Sequence, residues 1–366
     1  MTFILFSGNA LYATNYVSGL HSFKLVNPPS TRNIIGNYAI AGNTVMCLTE
    51  KTSGYGGTCH GQNDYQKVTS NLHVSKYIDI DGNNNGNSAT WNSSSSYIQL
   101  PANLNTSEGN PVLWAGLFWQ GRFSTDTDYV MHYGKENGTT YNLIEMGRGA
   151  PGYNEGDRID ISTLGANDIK LKVDSSGYTD TEADTIYTYT SSNGMTYAAY
   201  ADVTTIVQNA NLTPGKHTFT VANLTTNEGR EKSPGVFGGW SLVVIYKEDT
   251  SGDARNISIY NGFQKIPSSS TIHISGFKLP KTGDVSAQLS VFSGEGEYLY
   301  GRTDTSDKVD WMKMSDRSDG GYAYMPGKLS GRGIGNRDNM FDGVMDGVLR
   351  DDIPGQSNNL QVNNDG

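Results

Sequence analysis

Basic residues are the scarce charge in this chain. Lysine and arginine number 27 against 37 aspartates and glutamates, a formal net charge of −10. Nucleic-acid binding needs a basic footprint, and no Lys/Arg stripe is visible, so nucleic acid is not an expected partner. Cysteine is scarcer still. Cys47 and Cys59 fall in one Gly/Ser-rich stretch with no Cys-x-x-Cys, and His60 alone cannot complete a zinc site. A local disulfide in an oxidising compartment is the expectation, with free thiols as the alternative. No apolar run reaches 18 residues, so no membrane-spanning helix is expected. Catalytic signatures are missing as well. The six histidines form no His-Glu-x-x-His pair, and there is no Gly-x-Ser-x-Gly elbow or phosphate-binding loop.

Turn formers and β-formers fill the space. Gly (44) and Tyr (22) are abundant, charged residues make up only 17%, and long helix-forming runs are scarce. This composition predicts an all-β chain, an elaborated β-sandwich or jelly-roll-like module with long loops and one or two short helices. The central stretch is Met195 to Tyr246. His217 to Ala222 alternates, with Phe219 and Val221 on one side. Leu242 to Ile245 is apolar throughout, as in a central strand covered on both faces. Val112 to Trp119 has the same character. Asp202 reads as the cap of a short helix carrying Val203, Ile206 and Val207. Single-sided strands are expected at Val74–Ile80, Tyr97–Leu100, Tyr129–Tyr133, Ile169–Val173, Asn256–Tyr260, Thr271–Ile274 and Val285–Val291. Asn33 to Met46 reads as short strands broken by glycine.

Three regions are expected. Residues 1–13 read as the remnant of a secretory signal, against the alternative of a buried first strand at Phe3–Phe6. Residues 14–293 form the β-sandwich surface module, as one large or two tightly associated sandwiches. Residues 294–366 are loop-rich, with a helical hint at Met340–Leu349, and suggest a piece of a longer protein.

One stretch offers ligand chemistry. Asp79, Asp81, Asn83 and Asn85 place hard oxygen donors close together, which is what calcium requires. Gly82 comes too early for an EF-hand, and Asn/Gly turns have the same composition for conformational reasons alone. Leu279 to Gly283 spells Leu-Pro-x-Thr-Gly, but a strand pattern follows, so a turn is the expectation. Glu295 and Glu297 read as a solvated acidic turn, since a glycosidase needs a facing pair at defined separation. Trp91, Trp311, Tyr322 and Tyr324 lie in polar contexts and are the candidate ligand-stacking aromatics, whereas Trp114 and Trp240 are assigned to the core. The loop Asn223–Gly235 is a further expected location for function.

Several patches taken together resemble a known type of module. The strings IIGNYAIAGNTVMC, YIDIDGNNNGNSATWNSSSSYIQLP, VLWAGLFWQG, AYADVTTIV, FTVANL, GGWSLVVIY and RNISIYNGFQ occur in order between Asn33 and Phe292. They resemble the N-terminal β-rich module of large, repeat-containing bacterial cell-surface proteins. The resemblance implies an extracellular, adhesin-like protein and brings no established catalytic residues that could be carried over. The expected function is a secreted, non-catalytic structural or adhesive module that meets a host-surface, matrix or glycan ligand. The alternatives are a carbohydrate-binding module, calcium-dependent or not, and a glycoside hydrolase.

Overall fold

The two apolar runs that lack alternation become neighbouring inner strands of one sheet. In the computed structural model, which describes residues 14–49, 74–81, 90–124, 131–137, 140–146, 165–191, 194–230, 237–264, 290–292, 313–315 and 322–324, twenty strands are numbered in chain order. The large sheet runs β1 (Asn15–Ser18), β12 (Thr185–Ser191), β13 (Gly194–Asp202), β7 (Val112–Ser124), β16 (Phe237–Lys247), β3 (Asn33–Thr44), β17 (Ala254–Asn256). The small sheet runs β11 (Thr179–Glu182), β10 (Asp168–Val173), β14 (Gly215–Ala222), β6 (Ser93–Leu100). Within the large sheet β1 pairs parallel with β12, and the remaining pairs are antiparallel.

The fold is an all-β sandwich. Leu117 and Trp119 of β7, Leu242 and Val244 of β16, and Ala39 and Ala41 of β3 point into one core. They share it with Ile98 of β6, Leu171 of β10, and Phe219 and Val221 of β14. Each large side chain withdrawn from water here contributes about 1.5–3 kcal/mol. The opposite face of the large sheet is apolar too. Trp114, Val243 and Ile245 join Tyr200 and Ile257 in a second cluster. Beside it lies a ribbon of β2 (His21–Leu25) and β18 (Tyr260–Phe263), anchored by His21 stacking on Tyr187 at 5.2 Å. Burial on both faces is why β7 and β16 show no alternation.

The remaining strands form smaller sheets: β4 (Met46–Thr49), β5 (Val74–Tyr77) and β15 (Gly229–Arg230); β8 (Met131–Asn137) with β9 (Thr140–Met146); and β19 (Lys313–Ser315) with β20 (Tyr322–Tyr324). The α-helix in the described residues is α1 (Thr204–Asn209), and a 3-10 turn spans Pro29–Thr31. The strand expected at Asn256–Tyr260 is instead split, with β17 ending at Asn256 and β18 starting at Tyr260.

Several strands are longer than the sequence pattern implies, β3 and β6 among them. Asn33–Thr44 is one strand rather than pieces broken at glycine. Gly36 sits within it because the Tyr246 carbonyl oxygen occupies the place of a side chain. β6 begins at Ser93, four residues before the expected Tyr97. Two of its serines face polar partners within the sheets: Trp240 Nε1 donates to Ser94 Oγ at 2.8 Å, and Ser95 and Thr220 hydroxyls pair at 2.7 Å, whereas Ser96 Oγ is buried without a partner. The expectations placed on residues 1–13, 271–274, 279–283, 285–289, 294–297 and 340–349 fall outside the described residues.

Candidate functional site

The Asp79–Asp81 segment is held at the rim of the small sheet by backbone pairing. Ser93 N–H donates to Ile78 O at 2.8 Å, and Ile78 N–H donates to Val45 O at 2.8 Å. Asp79 bridges Ser93 in parallel register. The Ser93 hydroxyl then serves three times. It donates to Asp79 Oδ1 at 2.8 Å and accepts the Ile80 N–H at 3.0 Å and the Asp81 N–H at 3.4 Å. Asp81 is held from two other places in the chain. Tyr178, in the turn between β10 and β11, donates its hydroxyl to Asp81 Oδ2 at 2.9 Å, and the Thr90 hydroxyl lies 3.3 Å from the same oxygen.

Asp79 Oδ2 is buried and receives no hydrogen-bond donor, while its carboxyl group faces that of Asp81. Between two ionised carboxylates this contact is repulsive. With one proton it becomes a hydrogen bond. Burial, followed by this hydrogen bond to Asp81, accordingly pushes Asp79 up to about 7. Burial also opposes ionisation of Asp81, but hydrogen bonds from Asp79, Tyr178 and Thr90 and the nearby Lys172 ammonium outweigh it and hold Asp81 below the usual carboxylate range. Burial and the Asp81 charge raise the Tyr178 phenol well above its ordinary value, so it stays a donor.

This geometry suits a shared proton or a hard cation. A donor-less buried carboxylate oxygen beside a second carboxylate fits calcium, which takes six to eight oxygens. Among the described residues no group of three His, Cys, Asp or Glu side chains stands close enough to hold a metal ion. A calcium ion would therefore need neutral oxygens as well, and the other two expected ligands, Asn83 and Asn85, lie outside the described residues.

The other sequence candidates fall in different places. Trp91 is 5% exposed and is a buried residue, so it is not available as a stacking surface. Its backbone N–H donates to Asn223 Oδ1 at 3.1 Å, which draws it in. Tyr322 and Tyr324 lie in the short strand β20, and Trp311 and Cys59 lie outside the described residues. Cys47 lies in β4. Asp202 stands one position before the helix cap, Val203. Its carboxylate still accepts the Thr204 N–H at 2.9 Å and the Trp114 indole N–H at 3.0 Å. His217 is engaged on both ring nitrogens, with Asp174 Oδ2 and with Thr213 O, each at 2.8 Å.

The loop expected at Asn223–Gly235 is corrected over its first half. Asn223 through Asn227 are buried, and Asn223 takes the left-handed conformation (φ 61°) that Asn tolerates. Asn92, itself buried, reads the segment like a strand partner. Its Nδ2 donates to Leu224 O at 2.8 Å, and its Oδ1 accepts Leu224 N–H at 3.0 Å. Tyr197 OH donates to Thr225 O at 2.6 Å, and Thr226 Oγ1 bridges Arg122 O and Phe237 O at 3.0 Å each. This is a buried polar seam that fastens loop to sandwich. Tyr178, Thr90 and Ser93 were not legible as site residues, because Tyr178 is 97 positions from Asp81 and no local pattern joins them. Comparison with family models, curated proteins and solved structures gives no match.

Proposed function

We propose that this chain is a non-catalytic structural and adhesive module of an extracellular bacterial surface protein. The observation that carries the reading is the buried polar seam. Asn92, Asn223, Tyr197 and Thr226 are spent on locking connecting segments to a rigid sandwich. Asp202 and His217, the side chains with the most obvious reactive chemistry, are likewise tied to neighbouring elements. Such a body supports loops presented to a surface or partner. The ordered strings between Asn33 and Phe292 resemble those of bacterial cell-surface modules, and that resemblance supports an extracellular compartment. The test is protease treatment of intact cells of the native host: loss of the protein before lysis is expected, and protection until lysis overturns the reading.

A second reading is favoured by the donor-less oxygen of Asp79 beside Asp81. In it the module binds carbohydrate and calcium steadies the acidic rim. Calorimetric titration with calcium is expected to show binding that Asp79→Asn removes. No heat, together with an unchanged melting temperature, would sink the calcium part.

A further inference from the structure

We infer that Asn105 is a modification site, the acceptor of an N-linked sugar on an exposed turn. Asn-x-Ser/Thr triplets start at Asn92, Asn105, Asn137, Asn211, Asn223 and Asn256. A chain this rich in Asn, Ser and Thr carries such triplets by chance, so the fold must discriminate among them. Transfer needs a side-chain amide nitrogen that a transferase can reach, with the hydroxyl two residues on presented beside it. Asn92 and Asn223 are buried and belong to the seam. Asn211 Nδ2 donates to Asn209 O at 3.1 Å, and Pro214 follows its triplet directly. Asn256 Nδ2 donates to Asn33 Oδ1 at 2.8 Å. The triplet of Asn137 leaves the described residues at Gly138.

Asn105 differs from all of these. It lies in the connection from β6 to β7, which is pinned at its middle: Leu104 is buried, and Asn105 N–H donates to Lys247 O at 3.0 Å. From there Thr106 to Gly109 are exposed. The Asn105 carboxamide closes an Asx turn, its Oδ1 accepting the Ser107 N–H at 3.2 Å and the Ser107 hydroxyl at 2.8 Å. The same conformation leaves Nδ2 donating to no group among the described residues, and that nitrogen is not buried. Amide and hydroxyl are therefore presented together on one side of a fixed turn. In the transfer, Nδ2 attacks the anomeric carbon of a glycosyl phosphate donor. The carbon–nitrogen bond forms as the bond from that carbon to the phosphate oxygen breaks. The phosphate leaves with the bonding electron pair, and a base on the transferase takes one Nδ2 proton. The Ser107 hydroxyl on Oδ1 draws electron density toward the oxygen and eases loss of that proton.

This inference goes beyond the adhesive reading and fails separately from it: protease treatment of intact cells tests exposure, and peptide mass tests the sugar. The full chain is purified from the native host and digested. The peptide containing Asn105 is sequenced by electron-transfer fragmentation, which keeps sugars on their side chains. Added sugar mass on Asn105 is expected. Asn105→Gln and Ser107→Ala, each produced in the native host, are expected to lose it at unchanged melting temperature, and Ser107→Thr to keep it. An unmodified Asn105 peptide from the native-host protein, sugar on Thr106 or Ser107 in place of Asn105, or undiminished modification of the folded Ser107→Ala chain overturns the inference.

Discussion

Replacing Asn92 with alanine removes a side chain that stands in for a neighbouring strand. Its amide donates to Leu224 O at 2.8 Å and accepts from Leu224 N at 3.0 Å, and both residues are fully buried. Alanine leaves a buried N–H and a buried C=O without partners, at about 1–3 kcal/mol each. A loss near 3 kcal/mol is a large share of the ~5–15 kcal/mol that holds a domain together. For a sandwich of this size it lowers the melting temperature by about 6–12 °C. Urea titration followed by tryptophan fluorescence measures the change, with Asn209→Ala on the exposed end of α1 as the comparison. Asn92→Asp is expected to be worse at pH 8 than at pH 5, because it buries a carboxylate opposite the Leu224 carbonyl. An Asn92→Ala loss below about 0.5 kcal/mol, the scale of an ordinary surface change, would refute the seam as a structural fastener.

Two further outcomes follow from the same structure. Asp79 is raised to about 7 in the folded chain from an ordinary value of 3.8, so the folded state binds the extra proton in that window. Stability from this group is therefore full below about pH 4 and falls as pH rises through about 7. The melting temperature is expected to be higher at pH 5.5 than at pH 8, and Asp79→Asn should flatten that difference. A wild-type profile flat over this range contradicts the paired carboxyls. At Gly121 a Cβ would stand 2.6 Å from Thr225 O and 2.7 Å from the Tyr197 ring. Gly121→Ala is expected to cost about 1–3 kcal/mol through overpacking. A urea midpoint equal to wild type would show that the approach of β7 to the seam is looser than drawn.

The inner strands were legible because their burial is two-sided. Val112–Trp119 and Leu242–Ile245 carry apolar residues on both faces, and the second core around Trp114 and Ile245 explains why. Single-sided strands such as β10 and β14 announced themselves through alternation. What the sequence concealed was polar burial. Ser93 and Ser94 are buried in a strand, and nothing local distinguishes them from loop serines until Asp79 and Trp240 are seen to hydrogen-bond them. Trp91 and Asn223–Asn227 were misjudged for the same reason: their polar neighbours are partners in a buried seam, not solvent-facing company. Of the expected ligand set, Asp79 and Asp81 do come together, and Tyr178 joined them only through the hairpin of β10 and β11.

The central claim is that this sandwich works outside the cell as a presenting body. Cells of the native host, intact and lysed, are treated with proteinase K and probed with an antibody raised against the β-sandwich. The account predicts that signal is lost from intact cells while a cytoplasmic marker survives. Signal that survives in intact cells and disappears only after lysis contradicts it.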